Sequence, residues 1–421
     1  MEYNRLVWKL RDQIHDFSGR LSALFSVPKR RFIEEMLFGI QARQSVHLSE
    51  IGRSLEESIP LSKTESRLSR NLDMSGMEDL LLDSVIGMGS RRVHRDTLLI
   101  LDLSDITKRY ARRMEYLARV RDGSAGELSD GYWLCHVNAC EREGRRVVPL
   151  YQSLYSADAP EQTSENDEIL RAVDRVRAHV KDRGIWVLDR GGDRVKLFDA
   201  FLERKLRFIV RQRGDRHLIF RGRRRLALEI AQGCTMPYAE TIVTMDGEKE
   251  RACTIEYGYR KVKLPGREEE LYLVVVKGFG KKPLMLLTTI PLRRNRRALW
   301  SVVGGYLTRW RIEESIRFVK QSYRLEDIRV MTYRRLKNLV ALVLAASYFA
   351  AVHLGEGLKL RILARRVLKV AKRFFGVPDF HYYALADGIA TILSHATVGP
   401  IGRHAKTPPR TPQLQLPLFE R

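Results

Sequence analysis

Apolar residues recur at helical spacing from the start of the chain to about residue 90. FIEEMLFGIQARQ, 32–44, reads as one amphipathic helix. VHLSEIGRSLEESIPLSKTESRLSRNLD, 46–73, reads as helix, turn, helix: His47 to Leu55, a break at Ile59–Pro60, then Ser62 to Asn71. Ser62 stands three residues before Glu65, the capping-box spacing, which makes it the expected N-cap. The second helix is expected to expose Lys63, Arg67 and Arg70. A helix-turn-helix and a plain helical bundle both fit this pattern.

Near residue 96 the period changes. DTLLILDLSD, 96–105, is a buried strand by length and composition, ending in acids. MEYLARVRDG, GYWLCHVNAC and RRVVPLYQSLYS follow with strand-like content and short turns. SENDEILRAVDRVRAHVKD, 164–182, has apolar residues at helical spacing behind a serine cap. GIWVLDRGG, 184–192, is a second buried strand ending on an acid. VKLFDAFLERK then reads as a short helix and LRFIVRQRG as a strand. With three or four strands before the first helix, the order β-β-β-α-β-α-β predicts an α/β fold with a mixed sheet and flanking helices.

From 215 to 298 the pattern is strand-rich: RRLALEIAQ, AETIVTMDG, ACTIEYGYRKVKL, LYLVVVKGF and LMLLTTI alternate with polar turns. An inserted β subdomain is expected there. Helical pattern returns over 299–395, and 396–421, rich in Pro and polar residues, reads as a flexible tail. The organisation expected is thus 1–90 helical, 91–214 the first part of the core, 215–298 the insertion, 299–395 its helical completion, and 396–421 the tail. The apolar run LVALVLAASYFAAVHL at 339–354 is short for a membrane span and is expected to be a buried helix.

The charge changes the picture. Lys and Arg number 75 against 51 Asp and Glu, a formal charge of +24 with a pI near 10.1. The excess is spread along the chain, which points to a polyanionic partner, nucleic acid before an anionic membrane. A membrane-surface protein is disfavoured because no anchor or signal segment is evident, and the cytoplasm, at the bacterial nucleoid, is the expected location. The four cysteines, 135, 140, 234 and 253, form no C-x-x-C pair and are expected to be idle thiols.

YLTRWRIEESIRFVK, 306–320, carries the densest chemistry. Tyr306, Arg309, Glu313 and Lys320 follow one another at offsets of 3, 4 and 7. On one continuous helix these fall within about 60° of arc. One face would present a carboxylate, two cations and a phenol. Asp102 follows TLLIL and Asp189 follows GIWVL. An acid ending a buried strand is costly without a partner, and strand ends are where α/β sheets hold ligands. Three such carboxylates, Asp102, Asp189 and Glu313, suit two divalent cations that activate a water or 3′-hydroxyl and stabilise the leaving oxygen in phosphoryl transfer. Arg309 and Lys320 would clamp phosphates, Arg as a planar fork and Lys as a point charge, and Tyr306 would hydrogen-bond a backbone phosphate.

In these motifs the chain resembles the DDE transposases of bacterial insertion sequences, in the branch (the IS-four family) with a Tyr-x2-Arg-x3-Glu-x6-Lys signature. Tyr306, Arg309, Glu313 and Lys320 match that spacing, and LDLSDI around Asp102 and VLDRGGD around Asp189 resemble the two strand-acid blocks. The resemblance spans about residues 30 to 355. It implies a ribonuclease H-like core interrupted by a β insertion, and an N-terminal helical DNA-binding region. It implies two Mg²⁺ ions, with Mn²⁺ able to substitute. It implies cut-and-paste action on double-stranded DNA, both the element's own terminal inverted repeats and a target, by a homodimer in the synaptic complex. The family also links the signature to a hairpin intermediate. Asp105 is the alternative to Asp102, since odd spacing puts the two on opposite strand faces. Asp193 and Glu314 are weaker alternatives to the other acids. Trp310 is expected to be a core anchor before a base-stacking residue.

Two basic runs, RGRRR at 221–225 and RRNRR at 293–297, are expected to track DNA backbone. QLPLF, Gln415 to Phe419, resembles the pentapeptide that docks bacterial proteins on the replicative sliding clamp. Two other readings compete. A structure-selective nuclease would share the carboxylates without strand transfer. A domesticated DNA-binding protein would normally have lost one acid, and all three are present.

Overall fold

The computed structural model describes residues 3–123, 126–141, 147–161, 164–246, 249–292, 295–355, 357–369 and 382–395; at 3, 243–246, 249–251, 310–312, 314, 355 and 357–360 it describes the backbone alone. Arg293, Arg294 and the QLPLF motif lie outside the described residues.

Five helices open the chain: α1 (Tyr3–Leu21), α2 (Val27–Arg43), α3 (Leu48–Ser54), α4 (Leu61–Leu72) and α5 (Met77–Ser90). α3 and α4 are the two helices expected around Pro60, and they pack on each other and on α2. Ser62 is not the cap. α4 begins one residue earlier, and the Pro60 carbonyl accepts from the Lys63 amide at 2.8 Å. Proline cannot continue a helix backward but can stand at its start, so it fixes the boundary.

The sheet comes next: β1 (Leu98–Thr107), β2 (Ala118–Arg121), β3 (Leu128–Cys140) and β4 (Val147–Tyr155), then α6 (Glu165–Val180), β5 (Ile185–Leu188), α7 (Val195–Glu203) and β6 (Phe208–Arg211). Ser164 caps α6 as its sequence predicts, its side chain accepting from the Asp167 amide. β7 (His217–Phe220) and β8 (Arg223–Leu226) form a separate two-stranded ribbon. RRLALEIAQ, expected as a strand, divides into β8 and the helix α8 (Ala227–Gln232). Ala227, Ile230 and Ala231 recur at helical spacing and are buried, and the Leu226 amide donates to the Glu229 carboxylate at 3.3 Å.

β9 (Tyr238–Asp246), β10 (Lys249–Val262), β11 (Leu271–Lys277) and β12 (Leu284–Thr288) follow. They do not stand apart as a subdomain. β12 pairs antiparallel with β6, so the sheet runs β2-β3-β1-β5-β6-β12-β11-β10-β9, with β4 on β3 beside β2. β1 is antiparallel to β3 and parallel to β5, and β5 is parallel to β6. The sheet is thus mixed, as expected. The burial of β11 and β12 along nearly their whole length explains their unbroken apolar runs.

The last helices are α9 (Arg296–Leu307), α10 (Trp310–Ser322), α11 (Tyr333–Ala351), α12 (Gly357–Lys369) and α13 (Tyr382–Leu393). α11 contains most of the long apolar run and is buried from Asn338 to Ala350, packed on β4, α5 and α2. Among the described residues no helix is long and apolar enough to cross a membrane. The N-terminal helices are locked to the C-terminal ones. Asn338 donates to the Leu72 and Met74 carbonyls at 2.7 and 2.8 Å, and Gln41 donates to the Ala346 carbonyl at 2.8 Å.

Candidate active site

Asp102 lies in the middle of β1, not at its end, because the strand runs on to Thr107. Ile100 is the last β1 residue paired with β5, opposite Val187. Two residues further along both parallel strands come Asp102 and Asp189. Paired strands run about 4.8 Å apart, so the two acids leave the β1–β5 pair side by side. This is also where the chain order reverses across the sheet, β3 lying on one side of β1 and β5 on the other. Asp189 caps a single 3₁₀ turn, Arg190–Gly192, its carboxylate accepting from the Gly191 amide at 2.7 Å.

The signature spans two helices, not one. Tyr306 is in the last turn of α9 and Arg309 is the N-cap of α10. The Thr308 hydroxyl donates to the Gly304 carbonyl at 2.8 Å, and the Arg309 amide turns to the Tyr306 carbonyl at 3.0 Å. Such back-bonding by threonine bends helices. Thr308 and Arg309 keep right-handed helical dihedrals, so the register is only interrupted.

Arg309 joins the site. Its Nη1 lies 3.2 Å from Asp102 Oδ2, and its Nη2 lies 2.6 Å from Glu313 Oε1. Asp102 is mostly buried, and burial pushes its carboxyl up to about 7. Arg309 opposes that rise, while the negative charges of Asp189 and Glu313 add to it. Two acids remote in sequence therefore act on Asp102. Burial alone would lower the Arg309 guanidinium, but Asp102, Tyr306 and Glu313 outweigh it and hold it above its ordinary value. Nε of Arg309 is buried without a hydrogen-bond partner among the described residues.

Other expected members sit differently. Tyr306 is buried, and its hydroxyl has no partner among the described residues. It acts electrostatically on Arg309. Lys320 is turned to Glu326 and Asp105, at 3.2 and 3.8 Å. Asp105 also accepts from the Gly123 amide at 3.2 Å. Asp193 accepts from the Arg213 amide and from Arg216, both at 2.6 Å, and so braces the loop after β6. The side chains of Trp310 and Glu314 lie outside the described ones.

One neighbour was missed from sequence. His136 is opposite Asp102 in β3, and its Nε2 is 3.0 Å from Ser104 Oγ. Burial, with the Lys320 charge, holds the imidazole down to about 3, so it is neutral beneath the acids. Only the β1–β3 register reveals it.

Three carboxylates supply hard oxygen donors of the kind divalent magnesium or manganese takes. Among the described residues, however, no group of three or more His, Cys, Asp or Glu side chains is gathered closely enough to hold a metal ion. The guanidinium of Arg309 holds Asp102 and Glu313 instead.

A scan against protein-family models and a search of curated proteins each found no match. Among solved structures the chain is similar to the piggyBac transposase, seen by cryo-electron microscopy in a synaptic complex with hairpin DNA. That likeness has a TM-score of 0.42 at 10% identity, over 92% of this chain and 80% of that one.

Proposed function

We propose that this chain is a metal-dependent DDE transposase with a ribonuclease H-like core, cutting the ends of its own element and joining them to target DNA. The observation that carries this reading is that Arg309 bonds both Asp102 of a central strand and Glu313 of a late helix, while Asp189, just past the parallel strand β5, adds its charge to the Asp102 carboxyl. The strand order β4-β3-β1-β5-β6, antiparallel on one side of β1 and parallel on the other, supports the same reading.

Asp102, Asp189 and Glu313 would hold Mg²⁺ or Mn²⁺, and their donor chemistry fits those ions. Two such ions supply Lewis-acid stabilisation of the charge at the attacking and leaving oxygens. Arg309, poised between two of the acids, clamps a phosphate with its planar fork. Tyr306, buried and acting electrostatically on Arg309, would support that clamp. Lys320 adds positive charge beside Asp105. α3 and α4 read the terminal repeats, since contacts to phosphates alone carry no sequence. Arg223, Arg224 and Arg225, exposed in β8, add backbone contacts. A second protomer is needed to hold the second end, and QLPLF would link the tail to the sliding clamp.

The test is cleavage and joining of DNA carrying the element's own ends. Asp189→Asn and Glu313→Gln are expected to abolish both, and chelation to do the same, while DNA binding survives. An active Glu313→Gln enzyme would contradict the assignment. Cleavage without joining would favour a structure-selective nuclease.

A further inference from the structure

Beyond the acids, β1 leads into a groove. It encloses about 780 Å³ between 107–114 on one wall and 326–331 on the other. One wall follows the strand of Asp102, and the other follows the helix of Glu313. Lys108 fastens them together, its Nζ donating to the Ile328 carbonyl at 2.8 Å and to that of Glu326. The Glu115 amide pins the far end on the Met331 carbonyl at 3.0 Å. The groove is therefore a built feature of the fold.

Its lining is aromatic and basic. Tyr110 is 95% exposed. Beside it stand Arg112, Arg113 and Arg329, none of which has an acidic partner among the described residues, and Arg109, which is paired with Asp122 at 2.8 Å. Glu326 and Asp327 are the acids of the opposite wall, and Glu326 is engaged by Lys320. An exposed aromatic ring among arginines without partners is what a single nucleic-acid strand takes: bases stack on the ring and cations follow the backbone. Arg329 and Met331 also line a second cavity of about 580 Å³, which reaches Ser66, Ser69 and Arg70 of α4. Arg329 and Met331 thus stand between the cavity beside the expected end-reading helix and the groove that follows the strand of Asp102.

We propose that this groove binds an unpaired DNA strand, with Tyr110 stacking on a base and Arg112, Arg113 and Arg329 on its phosphates. The inference rests on the reading of the chain as a DNA-processing enzyme and adds where a frayed or cleaved strand would lie.

The test compares full-length protein on a blunt duplex and on the same duplex with a short unpaired overhang. Tyr110→Ala is expected to weaken overhang binding about tenfold and leave blunt-duplex binding unchanged, with Tyr110→Phe close to wild type. Arg112→Ala with Arg113→Ala is expected to flatten the salt dependence of overhang binding. Photocrosslinking of an iodouracil in the overhang is expected to label Tyr110. Wild-type binding of both probes with no overhang-specific loss in Tyr110→Ala would overturn the groove and leave the functional reading intact. Failure of the wild type to bind either probe would overturn both. Tyr110 is almost wholly exposed, so its variants are expected to fold.

Discussion

The Arg309 guanidinium lies 3.2 Å from the Asp102 carboxylate, across 207 positions of chain. That contact brings the late helix to the central strand. It also puts a cation where the carboxylates would otherwise only repel one another.

Arg309 and a divalent ion should therefore compete for the same acids. Arg309→Ala leaves a buried carboxylate without its counter-charge, which costs about 1–3 kcal/mol in the metal-free protein. Added Mn²⁺ is expected to recover part of that loss. In thermal denaturation, the Mn²⁺-dependent rise in Tm should be larger for Arg309→Ala than for wild type. Equal rises would mean that the guanidinium and the ion do not share a site.

The exposed and buried basic residues of α4 should separate cleanly. Arg67, expected from sequence to face outward, is bonded to Glu35 and Glu57 and ties α4 to the helices before it. Arg67→Ala should lower stability by about 1–3 kcal/mol, because Glu35 is left buried without its main partner. Lys63→Ala and Arg70→Ala should leave Tm unchanged and weaken DNA binding severalfold. Unfolding curves and binding isotherms on the same three variants check both halves.

Stability should fall on acidification through His353. Burial, with the charge of Arg20, holds this imidazole down to about 4 from an ordinary 6.5. Its Nδ1 accepts from Arg20 at 2.6 Å and its Nε2–H donates to Gln13 at 3.3 Å, so the neutral form is the one bound. Between those two values the unfolded chain takes up a proton that the folded chain refuses. The contribution is whole above about 6.5 and lost as pH falls toward 4, at most on the order of 3 kcal/mol. His136 acts in the same sense to lower pH. Chemical denaturation of His353→Gln across this range should show a shallower loss than wild type. An identical slope would rule His353 out as a source.

Much of the sheet was legible because its strands are apolar runs bounded by charged turns. β1, β5 and the serine-capped α6 follow from that pattern directly. Which edge β12 would join was not legible, since periodicity gives faces and not partners. The interruption at Thr308 was hidden for a related reason. YLTRW has no Gly or Pro to signal it, and the bend comes from a hydroxyl that finds a carbonyl one turn back. Spacing brought Arg309 and Glu313 together correctly, because the helical dihedrals persist through the bend. It does not give the surroundings of Lys320, which are set by the distant acids Asp105 and Glu326.

The most direct test of the metal assignment is Mn²⁺ binding followed by electron paramagnetic resonance on full-length protein. Wild type should take up Mn²⁺, and Asp102→Asn, Asp189→Asn and Glu313→Gln should each weaken that uptake strongly. Undiminished binding in all three variants would contradict a metal centre at these acids.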